Sequence, residues 1–119
     1  MNPAKQEILV TGVSSFVGCH LIRGFSQTNA WKVLPVGSKK SEDYESQRTR
    51  RIDFGGEKNN WTVLNLKNEP SIKKFIRTFR PDIWVHHAGY AKNYASPNYD
   101  IREGYDTNVA PLKYIFENL

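Results

Sequence analysis

The segment 8–18, with the sequence ILVTGVSSFVG, constrains the fold of this chain more than any other. An apolar run, 8–10, ends abruptly before Gly12, and apolar residues then recur at helical spacing from Val17 onward. This pattern predicts a buried strand, a tight glycine turn and a helix. The first N–H groups of a helix have no partners within the helix and carry partial positive charge. The turn is therefore predicted to hold a phosphate group.

The glycine spacing of this turn is close to a dinucleotide-binding fingerprint with glycines at the first, fourth and seventh positions. Gly12 and Gly18 occupy the first and last of these positions, and Ser15 stands at the middle one. The serine pair Ser14-Ser15 either caps the helix or contacts the ligand directly. A side chain at Gly12 would obstruct the ligand, and Gly18 would let the helix pack closely on the sheet. The predicted cradle comprises Gly12, Ser14, Ser15, Phe16, Val17 and Gly18.

The composition indicates one globular domain. The chain has 119 residues, of which 39% are apolar, enough for a modest core. Its single cysteine, Cys19, excludes an intrachain disulfide and favours a reducing, cytoplasmic setting. The chain opens without a signal-peptide pattern, and no apolar run approaches membrane-spanning length, so no membrane partner is expected.

The chain has a net charge of +5, and five of its basic residues lie between Lys39 and Arg51, interrupted by Glu42, Asp43 and Glu45. Three interpretations are open. The segment is a solvated loop, the favoured interpretation, or a nucleic-acid surface, or an anchor for a cofactor phosphate. The third depends on where Lys39 and Lys40 lie in the fold.

Periodicity predicts three further strands, over 31–36, 61–64 and 83–85, although Pro35 is unfavourable within a strand. The segment 38–60 between two of them is polar, with a possible minor strand at 51–54. Its turn signals are Gly55-Gly56 and Asn59-Asn60.

Two further helices are predicted. The first is capped by Asn68 and ends before Pro81, with an apolar stripe at Ile72, Phe75, Ile76 and Phe79. A loop over 90–104 is followed by a helix from Tyr105 to the terminus, in which Pro111 is either an interruption or the true beginning.

Strands that alternate with helices in this way predict an α/β fold with a parallel sheet. Ligands of such sheets bind at the carboxyl ends of the strands. Four separate signals fall at these ends: the Gly12 turn, the Ser38 loop, Asn65, and the pair Ala88-Gly89.

Four segments resemble motifs of one protein family. The segment 11–18 is similar to T-G-x-x-G-F-(I/V)-G, and 65–68 (NLKN) is similar to D-L-x-D. The segment 80–89 is similar to P-D-x-(V/I)-(V/I)-H-L-A-(A/G), and 105–109 is similar to Y-x-x-N-V. Together they resemble the amino-terminal part of an extended short-chain dehydrogenase/reductase, in the NAD-dependent epimerase/dehydratase family. The resemblance implies a Rossmann-like parallel sheet with flanking helices, incomplete at about four strands.

The resemblance also implies a dinucleotide cofactor. A carboxylate at the end of the second strand would favour NAD, but Gly37 stands there and is followed by Ser38, Lys39 and Lys40. NADP is therefore predicted over NAD. Asn65 either contacts the adenine or is a turn residue. The further cofactor-binding positions implied are Leu66, His87, Ala88, Gly89 and Asn108.

The two neighbouring histidines are not predicted to bind a metal. Strand alternation places His86 and His87 on opposite faces of the sheet, and His86 is expected to be packed and hydrogen-bonded.

The family's catalytic Tyr-x-x-x-Lys pair does not occur in this sequence, in which Tyr114 is followed four residues later by Asn118. No catalytic residue is therefore predicted. The chain is either a truncated part of an enzyme, the favoured interpretation, or a complete small cofactor-binding protein.

Three functions are considered. The first is the NAD(P)-binding portion of an enzyme acting on a nucleotide sugar as an epimerase, dehydratase or keto-sugar reductase. The alternative is a non-catalytic dinucleotide-binding regulatory module, and the least favoured is nucleic-acid binding through the basic segment. An open sheet edge predicts self-association, and a homodimer is possible because the family's corresponding helix contributes to a dimer interface.

Overall fold

The computed structural model describes residues 5–56 and 60–119. These residues form two compact units, of which the first comprises the chain up to Leu64 together with Pro81–Ala88. The second comprises Asn65–Arg80 and Gly89–Leu119. The turn predicted at Asn59 lies outside the described residues.

The first unit contains a parallel sheet of four strands: β1 (Gln6–Thr11), β2 (Trp31–Gly37), β3 (Thr62–Val63) and β4 (Ile83–Val85). Their order is β3-β2-β1-β4, and every pairing is parallel. This confirms the predicted α/β class with a Rossmann-like, partial sheet. The third strand is shorter than predicted.

The core of the first unit lies between the sheet and the first helix, α1 (Phe16–Ser26). Ile8 and Val10 of β1 pack with Ile22 of α1, and each is at most 2% exposed. Leu9 is also fully buried. A near-continuous apolar run is what a strand inside a parallel sheet requires, because both of its faces are covered.

Pro35 lies inside β2, opposite Val10 of β1. The pairing of β2 with β3 begins only at Val36. At the level of Pro35, β2 therefore has a paired neighbour on one side only, and this is where a strand tolerates a residue without an N–H group.

The polar segment after β2 is not the loop that the sequence predicts. A 3-10 turn at Ser41–Asp43 is followed by a helix, α2 (Ser46–Gly55), so the minor strand predicted at 51–54 is wrong. The sequence of α2 shows no helical period of apolar residues, because the helix buries only Ile52 and Gly55. The predicted turn signal at Gly55-Gly56 marks the end of this helix, where Gly56 adopts a left-handed conformation.

The second unit contains three helices: α3 (Glu69–Phe79), α4 (Ile101–Asn108) and α5 (Ala110–Asn118). The side chain of Asn68 caps α3 as predicted, accepting a hydrogen bond from the N–H of Ser71. The predicted loop 90–104 is four residues too long, because Asp100 caps α4. The helix predicted from Tyr105 is interrupted at Val109, and Pro111 lies in the first turn of α5, which begins after the interruption. Within the described ranges, the helices are too short or too polar to cross a membrane.

Candidate functional site

The turn between β1 and α1 requires glycine at its first position. Gly12 has a φ of +82°, a conformation that residues with a side chain rarely adopt. A Cβ atom here would also lie only 3.2 Å from the backbone nitrogen of Ala88, which follows β4. The turn and the end of β4 therefore approach each other closely.

Ser15 caps α1 with its side chain. Its hydroxyl accepts a hydrogen bond from the N–H of Gly18 at 2.9 Å and donates one to the carbonyl oxygen of Gly12 at 2.9 Å. Of the two interpretations of the serine pair, Ser15 therefore fits capping. A Cβ atom at Gly18 would collide with the carbonyl oxygen of Gly12. The close packing predicted at Gly18 is therefore a contact between the helix α1 and the turn itself.

The first turn of α1 offers two amides to a ligand. The N–H of Gly18 is used by Ser15, and the N–H of Ser15 bonds to Gly12. For the N–H groups of Phe16 and Val17, residues 5–56 and 60–119 provide no hydrogen-bond acceptor. Both side chains are largely exposed. These two amides and the positive end of the helix dipole make this turn suitable for an anion.

Thr11 joins the ends of β1 and β4. Its Oγ1 accepts hydrogen bonds from the N–H groups of His87 and Ala88, each at 2.8 Å, and lies 3.5 Å from the carbonyl oxygen of Val85. Thr11 is completely buried. This one hydroxyl therefore holds His87 and Ala88 beside the glycine turn.

We expect Thr11→Val to lower the free energy of unfolding by about 2 kcal/mol, because two N–H groups lose their acceptor while the side-chain shape is kept. Urea denaturation followed by circular dichroism measures the change. Thr28→Val is the control, since this exposed hydroxyl bonds only to the nearby carbonyl of Phe25. A loss at Thr11 no larger than that at Thr28 would contradict the role assigned to its hydroxyl.

Ser38, Lys39 and Lys40 form an exposed loop directly after β2. The N–H groups of Ser38 and Lys39 donate to the hydroxyl of Tyr44, at 3.1 and 3.2 Å. The carbonyl oxygen of Lys39 accepts a hydrogen bond from Trp61 Nε1 at 2.8 Å. Two aromatic side chains thus fix the backbone of this loop and leave its cationic side chains at the surface.

The packing around residue 37 requires a glycine there. A Cβ atom here would lie 2.7 Å from the indole of Trp61 and 2.8 Å from Cγ1 of Val13. The absence of a carboxylate at this position therefore follows from the local packing, whatever ligand the site takes.

Sequence reasoning missed two arginines of α2 that reach the glycine turn. Arg48 Nη1 donates to the hydroxyl of Ser14 at 3.1 Å, and Arg51 Nη1 lies 3.5 Å from the carbonyl oxygen of Ser14. Ser14 itself is only 6% exposed. The three-residue spacing of the two arginines, followed by the glycine pair at 55–56, was the available signal of a helix with one basic face.

His86 is packed, as predicted. Its Nδ1 accepts a hydrogen bond from Trp84 Nε1 at 3.4 Å, and its buried Nε2 has no partner among the described residues. Burial, and secondarily the charge of His87, holds the pKa of His86 below its ordinary value, so its ring is neutral near pH 7. In the described part of the chain, no group of three or more His, Cys, Asp or Glu residues could hold a metal ion.

The other predicted site residues belong to the second unit. Asn65 forms a local turn, in which its side-chain oxygen accepts a hydrogen bond from the N–H of Lys67 at 3.0 Å. This agrees with the turn interpretation of Asn65. Leu66, the next residue, is half-buried.

Asn108 organises the segment that begins at Gly89. Its Oδ1 accepts a hydrogen bond from the N–H of Tyr90 at 2.6 Å, and its Nδ2 donates to the carbonyl oxygen of Tyr90 at 3.1 Å. A Cβ atom at Gly89 would lie 3.2 Å from Asn108 Oδ1. Gly89 and Asn108 are therefore neighbours, and both amide atoms of Asn108 are used in holding the backbone.

The sequence model of the NAD dependent epimerase/dehydratase family matches residues 8–118. The match covers all four motif segments on which the resemblance depends. No curated protein matches the chain.

Solved structures with the same fold include three that are similar over nearly the whole chain. The ADP-L-glycero-D-manno-heptose-6-epimerase of Helicobacter pylori has a TM-score of 0.73 and 19% identity, covering 95% of this chain and 35% of its own. A UDP-glucose-4-epimerase of Stenotrophomonas maltophila with bound NAD has a TM-score of 0.66 and 17% identity, with coverages of 95% and 33%. A chicken carbonyl reductase with bound NADPH has a TM-score of 0.65 and 14% identity, with coverages of 98% and 48%. The chain thus spans between about a third and a half of the length of these proteins.

Proposed function

Because the chain belongs to the NAD-dependent epimerase/dehydratase family, we propose that it binds NADP(H) at the β1–α1 turn, as the cofactor-binding part of an enzyme that acts on a nucleotide sugar. The family binds dinucleotides, and the chain corresponds to its amino-terminal region. The preference for the phosphorylated cofactor, the substrate class and the individual contacts are the parts that we propose.

The observation that carries the proposal is the geometry of the turn. Gly12, with its φ of +82°, leaves the space in front of the helix without a side chain. The N–H groups of Phe16 and Val17 remain available there, and a diphosphate is the anion that such a helix terminus binds in parallel α/β folds.

The preference for NADP(H) is supported by charge. The end of β2 carries no carboxylate that would accept bonds from the ribose hydroxyls and repel a 2′-phosphate. Ser38, Lys39 and Lys40 are exposed there, and α2 adds the guanidinium groups of Arg48 and Arg51. Charge-assisted hydrogen bonds of this kind favour a phosphate over a hydroxyl.

Titration of the chain with NADPH and with NADH, followed by cofactor fluorescence, tests the proposal. We expect NADPH to bind about tenfold more tightly or better, since one charge-assisted hydrogen bond is worth that ratio. Equal or tighter binding of NADH would contradict the preference. Binding of neither cofactor would contradict dinucleotide binding by this chain.

A non-catalytic dinucleotide-binding regulatory module is the second candidate. It is favoured by one observation, that no tyrosine of the sequence is followed four residues later by lysine. Hydride transfer separates the two candidates. An enzyme would convert a nucleotide sugar, with net oxidation of NADPH only in a reductase, whereas a regulatory module would bind NADPH and convert no nucleotide sugar in any form of the protein.

The proposed assembly is a homodimer through the exposed apolar side chains of the second unit. Ile101, Tyr105, Val109 and Phe116 are between 50% and 78% exposed, and they recur at intervals of four and seven residues through α4, the junction at Val109 and α5. Several large exposed apolar side chains in one segment are typical of an interface.

We expect Phe116→Glu to raise the dimer dissociation constant at least about 30-fold, because a buried aromatic anchor of an interface contributes this much. Sedimentation velocity measures the change. Tyr94→Glu is the control, since this side chain is 79% exposed but lies outside the two helices. Dimerisation that responds equally to both variants, or a monomeric wild-type chain, would contradict the assigned surface.

A further inference from the structure

Two cations of the basic segment, Arg48 and Arg51, contact Ser14 of the glycine turn, and Arg48 makes the shorter contact. Arg48 is exposed, as are Lys39, Lys40 and Arg50, yet its Nη1 donates a hydrogen bond to the hydroxyl of Ser14 at 3.1 Å. Lys39, by contrast, directs its Nζ over the ring of Tyr44, 5.9 Å from the ring centroid. Arg48 is therefore a cation that a contact of the described structure holds at the turn itself.

The position of this guanidinium is defined by the neighbours of Ser14. On one side, the N–H of Val13 bonds to the carbonyl oxygen of Val36 near the end of β2. On the other side, Ser15 caps α1. Ser14, the partner of Arg48, therefore lies between the end of β2 and the beginning of α1, the two places at which the ribose and the diphosphate of a dinucleotide would bind.

The contact also restricts the arginine before any ligand arrives. The side chain of Arg48 is 44% exposed, so part of the guanidinium faces solvent while Nη1 is held by the buried hydroxyl of Ser14. A guanidinium has five N–H donors, so the bond to Ser14 leaves others for a ligand. A side chain that is already ordered loses less conformational entropy when it binds.

An acidic group next to Arg48 opposes this arrangement. Glu45, at the beginning of α2, places Oε1 3.7 Å from Arg48 Nε. The pair is solvent-exposed and its distance is long, so the attraction is weak. A phosphate with two negative charges can therefore compete with Glu45 for the guanidinium.

We propose that Arg48 is the residue by which this chain distinguishes NADP(H) from NAD(H), and that Ser14 is its positioning residue. This inference rests on the proposed function, because it assigns a charge partner within the same site. The discrimination between NADP(H) and NAD(H) then depends mainly on α2, and Lys39 and Lys40 of the loop contribute little to it. Ser14 acts through Arg48 and makes no decisive contact of its own.

The test compares Arg48→Met with Arg50→Met by titration with NADPH and with NADH. Both variants remove one arginine charge from the same helix and keep an unbranched side chain, but Arg50 is exposed and none of the described hydrogen bonds joins it to the turn. We expect Arg48→Met to weaken NADPH binding about 30-fold and NADH binding less than about twofold. Arg50→Met is expected to change the ratio of the two affinities less than about twofold, since its charge is solvent-exposed.

A double-mutant cycle tests the part played by Ser14. Ser14→Ala is expected to weaken NADPH binding about fivefold in the wild-type background and not at all in the Arg48→Met background. An equal effect in both backgrounds would show that Ser14 acts independently of Arg48 and would overturn its positioning role. Urea denaturation of each variant accompanies the titrations, and the NADPH-to-NADH ratio is a readout that a merely structural role would not change.

Two further outcomes overturn the assignment of Arg48. One is an equal loss of NADPH and NADH affinity in Arg48→Met. The other is a cofactor preference that survives in Arg48→Met and disappears in the double variant Lys39→Met/Lys40→Met. Failure of the proposed function is recognised separately, from the wild-type chain alone. In that case the wild-type chain would bind neither dinucleotide, or it would bind NADH at least as tightly as NADPH.

Discussion

Gly18→Ala is expected to lower the free energy of unfolding by about 3 kcal/mol. The added Cβ would collide with the carbonyl oxygen of Gly12 and would lie 2.6 Å from the hydroxyl of Ser15. A flexible side chain could move aside, but the first of these obstacles is backbone. Relief would therefore require the whole β1–α1 turn to shift and would strain the hydrogen bonds of Ser15.

Gly24→Ala on the same helix is the matched control. No atom of the described structure lies within 4 Å of a Cβ built at Gly24. The substitution is expected to stabilise the protein by about 0.5–1 kcal/mol, because alanine loses less backbone entropy than glycine in a helix. Urea denaturation followed by circular dichroism measures both variants. Equal changes at the two glycines would show that the close approach of Gly18 to Gly12 does not contribute to stability.

Gly12→Val is expected to abolish detectable binding of NADPH. Valine at a φ of +82° is strained, and its side chain would crowd the turn that is proposed to hold the diphosphate. A Cβ at this position already lies 3.2 Å from the nitrogen of Ala88 and 3.3 Å from the hydroxyl of Ser15. Obstruction of the ligand and distortion of the turn therefore act in the same direction.

Gly56→Val separates backbone strain from obstruction. Gly56 has nearly the same conformation, with a φ of +83°, but it lies at the end of α2, and a Cβ atom there would have none of the described atoms within 4 Å. Both variants are expected to lose stability, by about 1–2 kcal/mol from the left-handed conformation. Only Gly12→Val is expected to lose NADPH binding. Full binding by a folded Gly12→Val chain would contradict the site, and loss of binding in both variants would assign the effect to strain alone.

Gly12 and Gly18, the two glycines of the turn, have different structural roles. Gly18 is needed because the helix lies against the carbonyl oxygen of Gly12, so its replacement acts first on stability. Gly12 is needed because the chain reverses there and because the space before the helix must stay open. The ratio of the binding effect to the stability effect should therefore be larger at Gly12 than at Gly18.

Local signals in the sequence were sufficient where neighbours along the chain determine the conformation. The strand–turn–helix unit at 8–18 was predicted, as were the helix before Pro81 and its cap at Asn68. In each, the apolar residues recur at the period of the element, and the capping side chain bonds to an N–H only three residues away.

The sequence pattern was misleading for helices that bury few apolar side chains. The helix α2 buries only Ile52 and Gly55, so its hydrophobic pattern is too sparse to reveal a period, and residues 51–54 within it resemble a strand. The start of α4 was missed for a similar reason, because Ile101 and Tyr105 are exposed and only Gly104 is buried. A helix that packs through glycine carries no apolar signal.

The sequence by itself determined the parallel α/β class, the glycine turn and the family, because alternating apolar periods and a positive φ at glycine are local properties of the chain. Only the tertiary structure decided what surrounds that turn. Thr11 bonds to residues 76 and 77 positions away, and Arg48 reaches Ser14 across 34 positions. Gly37 is glycine because Trp61 lies against it. Contacts of this kind depend on how strands and helices pack together, and no period or spacing along the chain encodes them.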